Sequence, residues 1–258
     1  MTPRFLATEG VHNFRDYGGW TGAGGRTVRR GLLYRSGQHV AASDADLAEI
    51  AALDIRTVID LRGTSERARH PCRRVPGFAG EVVFYEGETS SSPPHMDVDP
   101  ATSTEAFARA RMLAVYGRIP TNPAACAMLA RYLGVLGERE GASLVHCFAG
   151  KDRTGIAVTL LLHILGVSEA DQMTEYLRTN DAPTLSVLRA QSVPGIEARL
   201  GRKLDEAGVQ ALLEVRPDYL TRFREAAARL EGSLDAWLAR RLGVDEALRE
   251  RLRTRFLA

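Results

Sequence analysis

The sequence predicts an α/β protein with a mostly parallel central sheet flanked by helices and a helical C-terminal part. Three observations carry this reading. Residues 55–61 read IRTVIDL, β-branched and nearly unbroken, as a buried parallel strand should be. Strand-like runs at 81–85 (EVVFY) and 143–146 (SLVH) alternate with helical patterns, which argues for crossover units and parallel pairing. From Ser168 onward, helical patterns follow one another with few strand signals.

Taken in chain order, a Gly-rich stretch (Gly18, Gly19, Gly22, Gly24, Gly25) precedes TVRRGLLYRSG, whose alternation predicts short strands around a turn. This stretch is no dinucleotide fingerprint, because Thr27 stands where the last glycine of that pattern belongs. Ser43 and Asp46 form an S-x-x-D helix start ahead of Leu47, Ile50 and Leu53. Residues 87–100 are polar, with Pro93, Pro94 and Pro100, and predict a loop. Helical patterns follow at 103–116 and 123–137, and an apolar helix is expected over 154–165.

Composition excludes several classes. The chain has 258 residues, 45% hydrophobic and 26% charged, the profile of an ordinary globular protein. With no internal repeat or linker, it reads as one domain over 1–258. Net charge is +2, so no nucleic-acid partner is expected. Only Lys151 and Lys203 are lysines, and the arginines are scattered widely enough to say little. Three cysteines (Cys72, Cys126, Cys147) predict reduced thiols and a cytoplasmic location. MTPRFLATEG lacks the apolar core of a secretory signal, and the longest apolar run, 156–162, is too short to span a bilayer. No integral membrane segment is expected, and nothing in the sequence marks an oligomeric state or a signal-less export route.

The chemistry lies in LVHCFAGKDRTGIAVTLLLHIL at 144–165. Cys147 leaves a predicted strand, and the chain turns straight into a helix N-terminus, where loop and first-turn N–H groups make an anion cradle. Arg153 follows six residues later, placed to fork two donors onto phosphate oxygens. The helix dipole and that guanidinium favour the thiolate, a nucleophile aimed at phosphorus. Cys72 and Cys126 have Phe78 and Tyr132 at the same offset, so only Cys147 fits.

HCFAGKDRTG resembles the signature loop of cysteine-dependent phosphatases, and more narrowly that of the bacterial tyrosine and phosphoinositide phosphatases. Weaker segments occur in that family's order: NFRDYGG at 13–19, LLYRSG at 32–37, TVIDLR at 57–62, EYLRTND at 175–181 and VRPDYL at 215–220. The resemblance implies a cysteine-phosphatase-like fold and a cysteinyl-phosphate mechanism without metal or other cofactor. It also implies activity on phosphotyrosine, with phosphoserine/threonine and phosphoinositides as further substrates. A phosphorylated protein or a phosphoinositide is then the expected partner. A mycobacterial member has a longer acidic insertion where this chain has only 87–120, so the resemblance does not carry a full two-helix lid.

The expected roles follow residue by residue. Cys147 is the nucleophile, and Arg153 binds phosphate together with the amides of Phe148, Ala149, Gly150, Lys151 and Asp152. Gly150 lets the backbone turn where a Cβ would clash. His146 orients the loop, Thr154 donates its hydroxyl to the thiolate, and Lys151 is a second cation at the mouth, suited to a second phosphate. Expelling the leaving oxygen requires an acid. No Asp lies between Pro100 and Lys151, so Asp152 is the leading candidate, with Asp97 and Asp99 as alternatives on the polar loop. Asp60 either faces the site beside the strand end or pairs with Arg62. His12, His39, His70, His95 and His163 show no metal-ligand spacing. Competing readings are a mainly phosphoinositide-directed phosphatase, a rhodanese-like sulfurtransferase and a non-catalytic phosphate-binding module.

Overall fold

A computed structural model describes residues 4–88 and 104–258. Among these residues one sheet runs in the order β1 (Arg4–Phe5), β2 (Arg15–Asp16), β3 (Leu33–Ser36), β6 (Ala142–His146), β4 (Ile55–Asp60) and β5 (Glu81–Phe84). The strands β3, β6, β4 and β5 pair in parallel. The first three strands add an antiparallel edge that the sequence pattern does not announce, because β1 and β2 are only two residues long.

Alternation along the strands sorts the two faces. Leu33, Ile59, Val83 and Val145 join the larger core with α4 (Pro123–Glu138), α5 (Asp152–Ile164) and the C-terminal helices. Tyr34, Ile55, Val58 and Leu144 join a smaller core under α1 (Asp44–Ala51). Ile55 and Val58 share a face despite their odd spacing because the register against β6 shifts between Ile55 and Thr57. At the start of α1, Ser43 and Asp46 close the expected capping box.

The helix after the signature loop begins at Asp152, two residues earlier than the sequence pattern predicts. That shift puts Asp152, Arg153 and Thr154 together in its first turn. The helical C-terminal part consists of α6 (Glu169–Leu177), α7 (Leu185–Leu200), α8 (Glu206–Leu213), α9 (Pro217–Glu231), α10 (Leu234–Leu242) and α11 (Glu246–Phe256). Two further helices, α2 (Thr64–Arg69) and α3 (Thr104–Arg118), flank the site. The expected loop at 87–100 is described only through Glu88, so Asp97, Asp99 and His95 lie outside the described residues.

Candidate active site

The C-terminal ends of β3, β6 and β4 meet at one edge of the sheet, where parallel α/β folds place their ligands. Cys147 leaves β6 there and is buried, 3% exposed. The loop after it is fixed through its carbonyls. Phe148 C=O accepts from the Gln38 N–H (2.9 Å), and Gly150 C=O accepts from Arg35 Nη2 (2.7 Å) and Asn13 Nδ2 (2.8 Å). In a trans peptide, C=O and the following N–H point oppositely. Anchoring these carbonyls therefore aims the Ala149 and Lys151 amides away from β3. Gly150 has φ of +64°, and a Cβ there would lie 2.3 Å from the Ser36 carbonyl carbon, so only glycine lets the loop lie so close.

The weak segments of the sequence converge beneath this loop. Arg15, Arg35 and Arg178 surround the single carboxylate of Glu175. Arg15 Nη2 lies at 2.8 Å, Arg35 Nη1 at 3.4 Å and Arg178 Nη1 at 3.8 Å. Asn13 joins the cluster through its contact with Arg15. Three guanidinium groups against one carboxylate leave a buried surplus of positive charge under a loop shaped for an anion. Periodicity gives no hint of this network, because its members come from β2, β3 and α6.

Arg153 points to a partner that the spacing argument missed. Glu66, in the first turn of α2, takes Nη1 at 2.5 Å and Nη2 at 2.9 Å in a two-pronged ion pair, and Leu61 C=O accepts from Nη1 at 3.3 Å. Burial alone would favour a neutral guanidine. The Glu66 hydrogen bonds and the charge near Cys147 outweigh it and hold Arg153 above its ordinary range. Burial likewise opposes ionisation of Glu66, but Arg153 draws its carboxyl below the usual value.

Asp152 is partly exposed and accepts from Tyr116 Oη at 2.8 Å, and Tyr116 Oη in turn meets Tyr176 Oη at 2.8 Å. Both phenols are buried, and burial together with the Asp152 charge pushes each well above the ordinary tyrosine range. They therefore act as neutral hydrogen-bonding groups. Thr154 Oγ1 is fully buried in the same helical turn and has no hydrogen-bond partner among the described residues. Burial lowers His146 to about 4, so it is neutral at pH 7, with Nδ1 3.4 Å from the Cys147 carbonyl.

One expectation is corrected, and one left open is decided. Lys151 is not a cation at the mouth. It is 3% exposed, and its ammonium donates to the Leu212 carbonyl and, at 3.3 Å, to that of Glu214. The end of α8 leaves carbonyls without helical partners, and a buried ammonium is a strong donor for them. Of the two expectations for Asp60, the structure shows the pairing with Arg62. Arg62 grips both its oxygens, Nε to Oδ1 at 2.9 Å and Nη2 to Oδ2 at 2.7 Å. Burial disfavours its charge, yet His146 and Arg62 hold it well below the carboxylate range, and Arg62 carries this where His146 is neutral.

Asp60, Cys72 and His146 form a cluster of metal-ligand type, but Arg62 Nη2 donates to both Asp60 and Cys72 Sγ (3.1 Å). A guanidinium between the donors does not fit a cation. Phe148 and Ala149 are half-buried beside Cys147, with Ala149 packed on Leu188, Val209 and Leu213 of α7 and α8.

This fold and loop define a cysteine-dependent phosphatase class, and the comparisons with known proteins agree. The sequence pattern of the tyrosine phosphatase family matches residues 6–258, and the chain belongs to that family. A protein assigned as a tyrosine-protein phosphatase in Cupriavidus necator is 35% identical over 98% of this chain and 88% of its own length. The triple specificity protein phosphatase PtpB of Mycobacterium tuberculosis is 30% identical over 95% of this chain and 96% of its own. A crystal structure of TpbA from P. aeruginosa aligns with 71% of this chain and 98% of its own at 18% identity, with a TM-score of only 0.31. The protein is thus a phosphoric monoester hydrolase of the tyrosine phosphatase family.

Proposed function

We propose that the whole chain forms one phosphatase domain that hydrolyses phosphotyrosine through a cysteinyl-phosphate intermediate, with Cys147, Asp152 and Arg153 as its working groups. The observation that carries this is the placement of Cys147 at the end of β6, directly before the α5 turn that holds the other two. In the first step the Cys147 thiolate attacks phosphorus, the bond to the leaving oxygen breaks, and Asp152 gives that oxygen its proton. In the second step water attacks the phosphoryl group and passes a proton to the Asp152 carboxylate. The S–P bond then breaks, and phosphate leaves. Arg153 and the loop amides offset the charge on the equatorial oxygens in both steps. The buried Thr154 hydroxyl donates to the departing sulfur.

Phosphoserine/threonine and phosphoinositides are secondary substrates in this reading, as the family resemblance implies, and the words triple specificity in the mycobacterial relative's name fit a range wider than phosphotyrosine. Lys151 gives no lipid preference, because its ammonium is committed to the α8 carbonyls and to Asp152, whose Oδ1 lies 3.5 Å away. A cytoplasmic location is supported by three free thiols, and no described helix is long and apolar enough to cross a membrane. The test is hydrolysis of p-nitrophenyl phosphate without added metal and its inhibition by vanadate, followed by a matched panel of phosphopeptides and phosphoinositides. Lys151→Ala should lower kcat/KM equally on peptides and lipids. A loss confined to lipids would return Lys151 to the binding surface.

A further inference from the structure

On the face of the sheet opposite α5, a cavity of about 190 Å³ opens between α1 and the segment 73–80. Leu47, Ile50, Val58, Val75, Phe78 and Leu144 form the apolar part of its walls, beside His39 and a rim of charged groups. An apolar cavity of roughly 150 Å³ is already enough to hold a benzene ring. The charged groups at its rim are mostly committed. Asp54 pairs with Arg56 at 2.9 Å, and Arg73 is held by Asp44 at 2.6 Å and by the Ala42 carbonyl.

Arg74 is the exception. It lines the cavity half-buried, lies over the Phe78 ring at 5.6 Å, and has no hydrogen-bonded or ion-paired partner among the described residues. A desolvated guanidinium without a hydrogen-bonded counter-ion is costly, and burial draws Arg74 below its ordinary range against the weaker pull of Cys72 and Asp60. An anionic head on an apolar body would relieve this cost and fill the cavity at once.

We propose that this cavity is a binding site for an amphipathic monocarboxylate, a short fatty acid or aromatic acid, whose carboxylate pairs with Arg74 while its hydrocarbon part lies among Leu47, Val58 and Phe78. The fit is one of charge and polarity together: a cation with no hydrogen-bonded partner at the rim of a partly apolar pocket. The site is separate from the phosphate loop. His39 lines the cavity with its ring 5.5 Å from that of His146, and the charge of Arg74 acts on both histidines.

The test is thermal unfolding of the full chain with sodium octanoate as probe and 1-octanol as its uncharged control. Octanoate should raise Tm in a saturable manner, and should do so equally when the phosphate loop is saturated with vanadate. Octanol should give much less. Arg74→Gln should weaken octanoate binding roughly tenfold or more, the loss of one charge-assisted pair, while leaving p-nitrophenyl phosphate turnover unchanged. Because it removes a half-buried charge that makes no hydrogen bond, this variant should unfold at or above the wild-type Tm without ligand. Ile50→Trp, which narrows the apolar part, should weaken octanoate as well. The proposal is overturned if octanoate leaves wild-type Tm unchanged, if vanadate abolishes its effect, if octanol matches it, or if Arg74→Gln binds as well as wild type. A marked fall in the unliganded Tm of Arg74→Gln would also overturn it, by making the guanidinium a structural partner.

Discussion

Glu66 on α2 holds Arg153 on α5 by two hydrogen bonds, 2.5 and 2.9 Å long, and so joins the segment after β4 to the phosphate loop. The pair fixes the plane of the guanidinium before substrate arrives, an arrangement that saves ordering cost on binding. Glu66→Gln keeps the shape and one acceptor but loses the charge. It should cost about 1–2 kcal/mol in kcat/KM, a factor of roughly 5–30, with vanadate affinity falling in parallel. Unchanged kinetics would show that Arg153 is oriented by the loop alone.

The hydrogen bond from Tyr116 to Asp152 gives a second expectation. Asp152→Asn should lower kcat by about 10² to 10⁴ for alkyl phosphates, whose leaving groups need a proton. Its effect on the proton-donating step should be small for p-nitrophenyl phosphate. Tyr116→Phe should show the same leaving-group pattern in weaker form, about tenfold, because it misplaces the acid without removing it. Equal losses on both substrates would mean that Tyr116 supports the fold and not the acid.

Much of this site was readable in advance. HCFAGKDRTG announced the turn and the placement of Cys147, Asp152 and Arg153 around it because strand, loop and helix are contiguous there, and local spacing encodes local geometry. Glu66, Tyr116 and Glu175 were not readable in that way. Each reaches the loop from a different element, and no period or spacing links Glu66 to Arg153 across 87 residues of chain. Lys151 was misread for a related reason: sequence shows that a charge is present, whereas its partner, the end of α8, comes from the packing. For Asp60 the sequence left two readings level, and the packing selects the pairing with Arg62. The parallel strands were legible from their unbroken apolar runs, while the two-residue strands β1 and β2 were too short to carry a pattern.

Acid stability should follow the buried histidines. Burial lowers His12 and His146 to about 4 each, so the folded protein keeps them neutral where the unfolded chain, near 6.5, takes up protons. The unfolded state then binds more protons between pH 6.5 and 4, and stability falls as pH drops through that window. Each histidine contributes up to ~3 kcal/mol. Asp60, held low by Arg62, adds its own loss only at lower pH. Urea midpoints should decline steadily from pH 7 to 4, and His12→Gln should flatten the decline. A midpoint constant over this range would contradict the neutral assignment.

The most direct test of the account is to trap the intermediate. With p-nitrophenyl phosphate, Asp152→Asn should form the cysteinyl phosphate readily, since that leaving group scarcely needs a proton, and should hydrolyse it slowly for want of a base. The account predicts a burst of p-nitrophenolate equal to the enzyme present, and one phosphoryl group, after acid quench, on the peptide bearing Cys147. No burst, or a phosphoryl group on any other residue, would contradict it.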